Sequence, residues 1–290
     1  MTIRYYDEAA IRRALPPAAA VDAITAALLD GLDPGAGVPR TRMPLAHGEL
    51  LLMPAESATS AGVKVLTIAD GNPARGLPLI NAVYVLFDAE TLRPAALLDG
   101  AALTTLRTPA VSLAAVRPLL AARTGLRVVI FGAGPQGTGH EETLRATCDV
   151  ARVTVATRHT AGSPDVAAAL READVVVCAT TSRTPVFDST LLRDDAVVIA
   201  VGAHERTARE LDSALCARST VIVEDVPTAL AESGDVVQAI AEGCLAEGDL
   251  VPLRDAVRRP PATTGPVVFT SNGMSWEDLV VAEAVVAAAR

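Results

Sequence analysis

"VVIFGAGPQG", residues 128–137, decides the fold. An unbroken apolar strand runs into Gly132, Gly134 and Gly137, spaced G-x-G-x-x-G, and a helix-forming stretch comes directly after. In that pattern the first glycine permits a tight turn and the second lets backbone approach a pyrophosphate. The third lets helix pack closely on strand. Free N–H groups at the helix start then face the anion. Gly132, Gly134, Pro135, Gln136 and Gly137 are therefore the candidate cofactor-binding turn, with a purely structural glycine turn as the alternative.

The stretches beyond the turn support a bound ligand. "ARVTVATRH" (151–159), "ADVVVCATT" (173–181), "AVVIAVGAH" (196–204) and "STVIVED" (219–225) are near-continuous Val/Ile/Ala strands with helices or short connections between them. Strands apolar on both faces, alternating with helices, predict a parallel sheet covered on each side. A nucleotide site for NAD usually carries Asp or Glu at the end of the second strand, on the ribose 2′-OH. Here that place holds Thr157, Arg158 and His159. A carboxylate would repel a 2′-phosphate, whereas Arg158 can grip it through paired charge-assisted hydrogen bonds, so NADP(H) is expected over NAD(H). A solvated loop arginine is the other option.

Before residue 126 the texture differs. Two helices, 7–15 and 17–31, open the chain, and the start reads as the beginning of a helix. "ELLLMPA" (49–55), "AGVKVLTIA" (61–69), "LPLINAVYVLFD" (77–88) and "RPAALLDG" (93–100) read as antiparallel strands, with "DAET" closing a hairpin. Residues 100–120 return to helical spacing, and "SWEDLVVAEAVVAAAR" (275–290) is one more apolar helix. The expected fold is α/β: a doubly wound parallel Rossmann sheet, residues 119–270, inserted in a smaller α+β domain made of 1–118 plus 271–290.

Composition narrows the classes. A net charge of −9 disfavours nucleic acid and anionic membrane, and 3% aromatic residues supply few stacking platforms for bases. No apolar run reaches the roughly 18–20 residues of a bilayer span, and no signal-peptide pattern opens the chain, which predicts a cytoplasmic protein. Four cysteines, Cys148, Cys178, Cys216 and Cys244, lack metal-finger spacing and read as reduced thiols. No metal site is expected. No G-x-S-x-G elbow is present, which argues against a serine hydrolase.

Lys64, in "GVKVLTI", is the sole lysine of the chain. It shares a strand face with Gly62, Leu66 and Ile68, where an ammonium is costly unless it meets an anion or a dense hydrogen-bond shell. A structural ion pair is one possibility. Lysine is also a compact charge whose pKa falls on desolvation, so it can donate and recover a proton. Arg42, in "GVPRTR" ahead of the first strand, and Arg107, in "TTLRTPA", could join it in a cradle for a substrate carboxylate; each could equally be an ordinary surface or capping arginine.

At this point the sequence resembles the ornithine cyclodeaminase/mu-crystallin family. The matching residues are Arg42, "LLMPA" (51–55) with Lys64, "RGLP" (75–78), "LRTPA" (106–110), "GAGPQG" with His140, "RELD" (209–212), "ESGD" (232–235) and "SNGMSWEDL" (271–279). The resemblance implies NAD(P)-dependent chemistry on an amino or cyclic imino acid, in a homodimer built through the first domain. It implies that Arg42, Lys64 and Arg107 hold the substrate carboxylate and that Thr108 assists cofactor placement. Cyclodeaminases of the family carry a glutamate where Leu51 stands and an aspartate where His204 stands. Without those acids the resemblance points to the reductive branch: a cyclic imino acid, such as 1-pyrroline-2-carboxylate or 1-piperideine-2-carboxylate, reduced to an L-amino acid. The substrate is expected between the first domain and the carboxyl ends of the parallel strands. Lys64 is the candidate acid, and His204 is either a second proton donor or an outward loop residue. His140 reads as a packing or hydrogen-bonding residue, and His47 and His159 as solvated. The rivals are an ornithine or lysine cyclodeaminase or amino-acid dehydrogenase of the same family, and a catalytically silent NADPH-binding protein of the crystallin kind.

Overall fold

The computed structural model describes residues 3–289; Met1, Thr2 and Arg290, which the expected outer domain includes, lie outside them. The chain opens with strand β1 (Arg4–Tyr6) and helices α1 (Glu8–Ala14) and α2 (Pro17–Leu29). Strands β2 (Thr41–Leu45), β3 (Gly48–Glu56), β4 (Ser60–Ile68), β5 (Ile80–Asp88) and β6 (Pro94–Asp99) lead into helix α3 (Gly100–Leu120). Next come β7 (Leu126–Phe131), α4 (Pro135–Thr147), β8 (Val150–Ala156), α5 (Pro164–Glu172), β9 (Val175–Cys178) and β10 (Val197–Ala200). The chain finishes with α6 (Ser213–Arg218), β11 (Thr220–Val223), α7 (Val226–Glu232), α8 (Gly234–Ala241), β12 (Val251–Pro252), α9 (Leu253–Arg258), β13 (Val267–Thr270) and α10 (Ser275–Ala288).

Two compact units result. The first holds the described residues of Met1–Ala27, Ala36–Arg107 and Met274–Arg290; the second holds Leu28–Gly35 and Thr108–Gly273. The sequence places the division at 118/119 and 270/271. The compact units part at Arg107/Thr108, inside α3, and at Gly273/Met274, with Leu28–Gly35 also in the second unit.

The first unit is a six-stranded sheet in the order β1-β6-β5-β4-β3-β2, antiparallel except for the β1–β6 pair. Its buried face carries Leu51, Met53, Lys64, Leu66, Tyr84, Leu86 and Leu98, alternating along each strand as a half-covered sheet requires. Helix α10 packs across β3, β4 and β5 on that face. Two strands escape the sequence reading. Arg4–Tyr6, taken as helix, is β1, hydrogen-bonded beside Ala96–Leu98; three residues are too few for periodicity to register. Arg42 lies not ahead of the first strand but within β2, opposite Leu51. Pro44 masks that strand, being tolerated because β2 lies at the sheet edge.

The second unit is a seven-stranded, all-parallel sheet in the order β12-β11-β13-β10-β9-β7-β8. Every residue of β9, β10 and β13 is buried, the mark of strands covered on both faces. β7 is flanked by β8 on one side and β9 on the other, so the chain reverses its direction across the sheet at β7. Ligands of open α/β sheets bind outside the strand ends at such a reversal, and the glycine turn comes directly after β7. Among the described residues no helix is long and apolar enough to cross a membrane. All four cysteines are free thiols, with Cys178 and Cys216 buried.

Candidate active site

The glycine turn is built as the sequence predicts. Gly132 has φ +110°, and a Cβ there would lie 2.3 Å from the Ala179 carbonyl oxygen. A Cβ on Gly137 would meet the Gly132 carbonyl oxygen at 1.9 Å, so helix and turn touch backbone to backbone. Gly134 differs: a Cβ there would meet nothing within 4 Å. It caps α4, Pro135 takes the first helical position, and Thr138 donates the first helical hydrogen bond, back to the Gly134 carbonyl. Amides ahead of Thr138 have no acceptor within the helix, and the helix dipole makes this end attractive to anions. Open space over Gly134 beside those amides fits the pyrophosphate of a nicotinamide dinucleotide.

Gly132 donates to the Ala156 carbonyl, which seats the loop after β8 beside the turn. Thr157, Arg158 and His159 are all exposed in that loop, and Thr157 and Thr160 hydrogen-bond each other across it. Among the described residues no carboxylate forms an ion pair with Arg158. His140, in α4, is fully buried. Its Nδ1 sits 2.7 Å from the Gln136 carbonyl, which only accepts, so Nε2 is left to accept from the Ser112 hydroxyl at 3.0 Å. Burial pushes its pKa down to about 4. His140 is a neutral brace under the turn. His47 is exposed, and His204 lies half-buried in the loop after β10.

Three buried acids organise the carboxyl ends of the strands. Glu210 accepts from the Thr180 and Gly202 amides and the Thr180 hydroxyl, tying together the loops after β9 and β10. Burial outweighs these donors and pushes its pKa up to about 7. Asp235 accepts from the Glu210 and Leu211 amides and is raised to about 6, again by burial. Glu224 accepts from the Ser271 hydroxyl and the Asn272 and Gly273 amides. Two of these acids lie in the stretches "RELD" and "ESGD", but a sequence does not say which acids are buried.

Lys64 and Arg107 come together in the first unit. Lys64 is 1% exposed, and its Nζ donates to Asp278 Oδ2 at 2.7 Å and to Thr104 Oγ1 at 3.2 Å. Two of its three N–H donors are thus used. Arg107, also buried, donates from Nη1 to Glu277 Oε2 at 2.6 Å and places Nε 3.6 Å from Asp278 Oδ1. Burial pushes the Lys64 pKa down to about 8; Asp278 pulls it upward and Arg107 downward. Removing one partner of a buried pair strands the other charge, at a cost of about 3–5 kcal/mol. Beside the cluster, Leu51, Met53 and Leu66 form an apolar patch with Ile68 and Ala82.

Arg42 stands apart. Register puts it on the same sheet face as Lys64, but two strands away, with Nη1 3.0 Å from Glu49 and its side chain partly exposed. Thr108 is buried one residue beyond Arg107 in α3. Sequence reasoning missed Glu277 and Asp278, both 0% exposed. The signal was present in "SWEDL": two adjacent acids in an otherwise apolar helix need cationic partners unless they face water. Their place in the first turn of α10 also suits the helix dipole.

Comparison with known proteins gives this architecture its context. Residues 20–290 match the family model described as the ornithine cyclodeaminase/mu-crystallin family. The chain is 32% identical over 257 residues to Delta(1)-pyrroline-2-carboxylate reductase 2 of Burkholderia ambifaria, covering 83% of this chain and 81% of that protein. It is also 32% identical over 250 residues to the Delta(1)-pyrroline-2-carboxylate/Delta(1)-piperideine-2-carboxylate reductase of Azospirillum brasilense, covering 81% and 78%. Its fold superimposes on Thermococcus litoralis Delta(1)-pyrroline-2-carboxylate reductase, solved with NADH and L-proline, with a TM-score of 0.86 at 25% identity over 99% of this chain and 97% of the other. With the family model matched over residues 20–290 and relatives 32% identical over most of the chain, this protein belongs to the ornithine cyclodeaminase/mu-crystallin family.

Proposed function

We propose that the chain reduces a cyclic imino acid of the 1-pyrroline-2-carboxylate or 1-piperideine-2-carboxylate type to the L-amino acid, using a reduced nicotinamide dinucleotide. The observation that carries this is Lys64: a buried ammonium, brought to a pKa of about 8, beside Arg107 and an apolar wall. Such an amine is charged at neutral pH yet close enough to titration to release its proton. Arg107 holds the substrate carboxylate; Arg42, two strands from Lys64 and paired with Glu49, would have to leave that pair to assist. Lys64, through its remaining N–H, protonates the imine nitrogen, directly or through water, and so makes C2 electrophilic. His204 is a second candidate donor. The reduced nicotinamide, when bound, supplies hydride to C2. Gly132, Gly134, Pro135, Gln136 and Gly137 hold its pyrophosphate, and Thr108 helps to place it. Leu51, 2% exposed among Met53 and Leu66, gives an aliphatic ring an apolar surface and offers a second amine no partner.

Arg158 favours NADP(H): it is exposed, unpaired with any described carboxylate, and stands after the second strand of the sheet where an acid would select NAD(H). The first unit acts as a dimerisation platform. The sheet face opposite α10 presents Tyr5, Met43, Leu52, Val63, Val65, Val83, Val85 and Leu97, all exposed or half-buried. At strand spacings of about 4.8 Å and nine-residue strands about 30 Å long, this face offers on the order of 700 Å², near the roughly 800 Å² per partner of a standard interface.

The test is a rate comparison on five- and six-membered imine carboxylates with NADPH and NADH. Wild type is expected to consume NADPH in preference, Arg158→Ala to lose that preference without losing turnover with NADH, and Lys64→Met to bind NADPH while turnover falls by orders of magnitude. Ammonia release from ornithine without imine reduction, or full activity of Lys64→Met, overturns the assignment.

A further inference from the structure

The acid pair that opens α10 takes no proton in the proposed reaction, yet it makes the shortest contacts to both buried cations. We propose that Asp278 is a positioning residue that keeps Lys64 protonated and aimed, and that Glu277 does the corresponding work for Arg107, so that the last helix of the chain is part of the catalytic apparatus. This rests on the imine-reductase reading for its consequence in turnover, but not for the electrostatics.

The elements packed around Lys64 contribute unequally. From β5, Tyr84 stands directly across the strand pair from Lys64 and is fully buried, its hydroxyl without a hydrogen-bond partner. A phenol held uncharged by burial, its pKa raised, supplies no countercharge. From α3, Thr104 accepts one N–H, its own proton being given to the Gly100 carbonyl, while Arg107 repels the ammonium. From β3, Met53 lies opposite Lys64 and adds no charge. Among the described residues the negative charge that opposes desolvation comes from α10: Asp278 at 2.7 Å, with Glu277 as a weaker attraction behind it. Glu283, further along α10, accepts instead from the Ser57 and Thr59 hydroxyls.

Glu277 has a divided task. Oε1 accepts from the Met274 amide, closing the start of α10, and Oε2 accepts from Arg107. The guanidinium is thereby fixed to the helix end. Neutralising Asp278 with its shape kept, as in Asp278→Asn, must let desolvation win and drop the Lys64 pKa. Neutralising Glu277, as in Glu277→Gln, must loosen Arg107 and weaken carboxylate binding while leaving Lys64 nearly as it was.

Because Lys64 is the sole lysine, protein grown on ¹⁵Nζ-labelled lysine gives a single side-chain resonance that can be titrated in the full-length protein. Wild type is expected to titrate near pH 8. Asp278→Asn is expected to titrate at least one unit lower, and the descending limb of its kcat–pH profile to move with it, costing about threefold or more at pH 7.5. Glu277→Gln is expected to raise KM for the imine with that limb in place. If Asp278→Asn does not fold, the wild-type Asp278 carboxyl ¹³C resonance still reports, and must shift at the same pH as Nζ. A Lys64 titration unchanged in Asp278→Asn, or a wild-type Asp278 resonance blind to it, overturns the proposal even if imines are reduced. Conversely, a shifted Nζ titration in a protein that reduces no imine supports the electrostatics and removes the reaction.

Discussion

Replacing Gly134 with alanine separates ligand binding from folding more sharply than any other change in the glycine turn. Gly134 has ordinary extended backbone, φ −83° and ψ −176°, and a Cβ there meets nothing within 4 Å. Alanine is therefore accommodated, and the stability change should stay within about 1 kcal/mol, a weaker helix cap offsetting a less flexible unfolded chain. The open space is another matter once a pyrophosphate fills it. A phosphate oxygen accepting from a backbone amide lies about 2.9 Å from the nitrogen, whereas a methyl group needs roughly 3.4 Å of clearance, so the ligand must retreat by about half an ångström or more. Losing one charge-assisted hydrogen bond costs about 1.5–3 kcal/mol, which is roughly ten- to a hundredfold in Kd. Gly137→Ala is the control with the opposite signature. Its methyl group would stand 1.9 Å from the Gly132 carbonyl oxygen, backbone that cannot step aside, so the free protein itself must lose about 1–3 kcal/mol or more. Calorimetric unfolding without cofactor, paired with fluorescence titration of NADPH, measures both quantities. An alanine at 134 that binds NADPH as tightly as glycine would falsify the placement of the pyrophosphate over that residue.

Two further outcomes come from charge and from surface. Glu210 and Asp235 have folded pKa values raised by burial to about 7 and about 6, so the folded state holds their protons more tightly than the unfolded chain does. Their stabilising contribution is complete below the ordinary carboxylate range and is lost as pH rises through those values. His140, lowered to about 4, works partly against them over the acidic part of that window. Comparing Glu210→Gln with wild type cancels the other groups: the difference in Tm should move in the variant's favour between pH 5 and pH 8, and a difference independent of pH rejects the assignment. On the outer sheet face, Val65→Asp puts a charge at the centre of the proposed dimer interface. Sedimentation should show a monomer with unaltered circular dichroism; a persistent dimer places the interface elsewhere.

The second unit was legible because its signals are local. Strands apolar at consecutive positions, and glycines at fixed offsets, need no knowledge of distant residues. The sheet of the first unit was legible only where its strands are long. β1 has three residues, and β2 carries a proline and is exposed along its length, so neither leaves a pattern that periodicity can detect. The site divides in the same way. Lys64 announced itself as a lone ammonium among apolar neighbours, and Arg107 as a charge on an Ala/Leu/Thr helix. Which anions face them is a tertiary fact: Asp278 is 214 residues from Lys64 in sequence, and Glu277 is 170 from Arg107. Arg42 shows the reverse limit, since its residue type suits the proposed cradle while it forms an ion pair with Glu49, diagonally across the strand pair.

The charges around Lys64 bear on the substrate class as well. Lys64, Arg107, Glu277 and Asp278 sum to zero within one buried cluster. A substrate entering as carboxylate and leaving Lys64's proton on its nitrogen passes through a zwitterion, so the cluster and its guest together change charge only by the carboxylate they gain. The substrate carboxylate would share Lys64 and Arg107 with Asp278 and Glu277, which already neutralise them, so its desolvation has to be offset by hydrogen bonds to those cations rather than by net charge. A diamino acid brings a further ammonium, which needs an acid of its own. Leu51, buried among Met53 and Leu66, offers none. If an acid is supplied by Leu51→Glu, the balance should tip: Kd for ornithine should fall at least tenfold while that for L-proline rises. Unchanged affinity for both amino acids would mean that residue 51 does not face the substrate, and that the charge argument must be rebuilt around other residues.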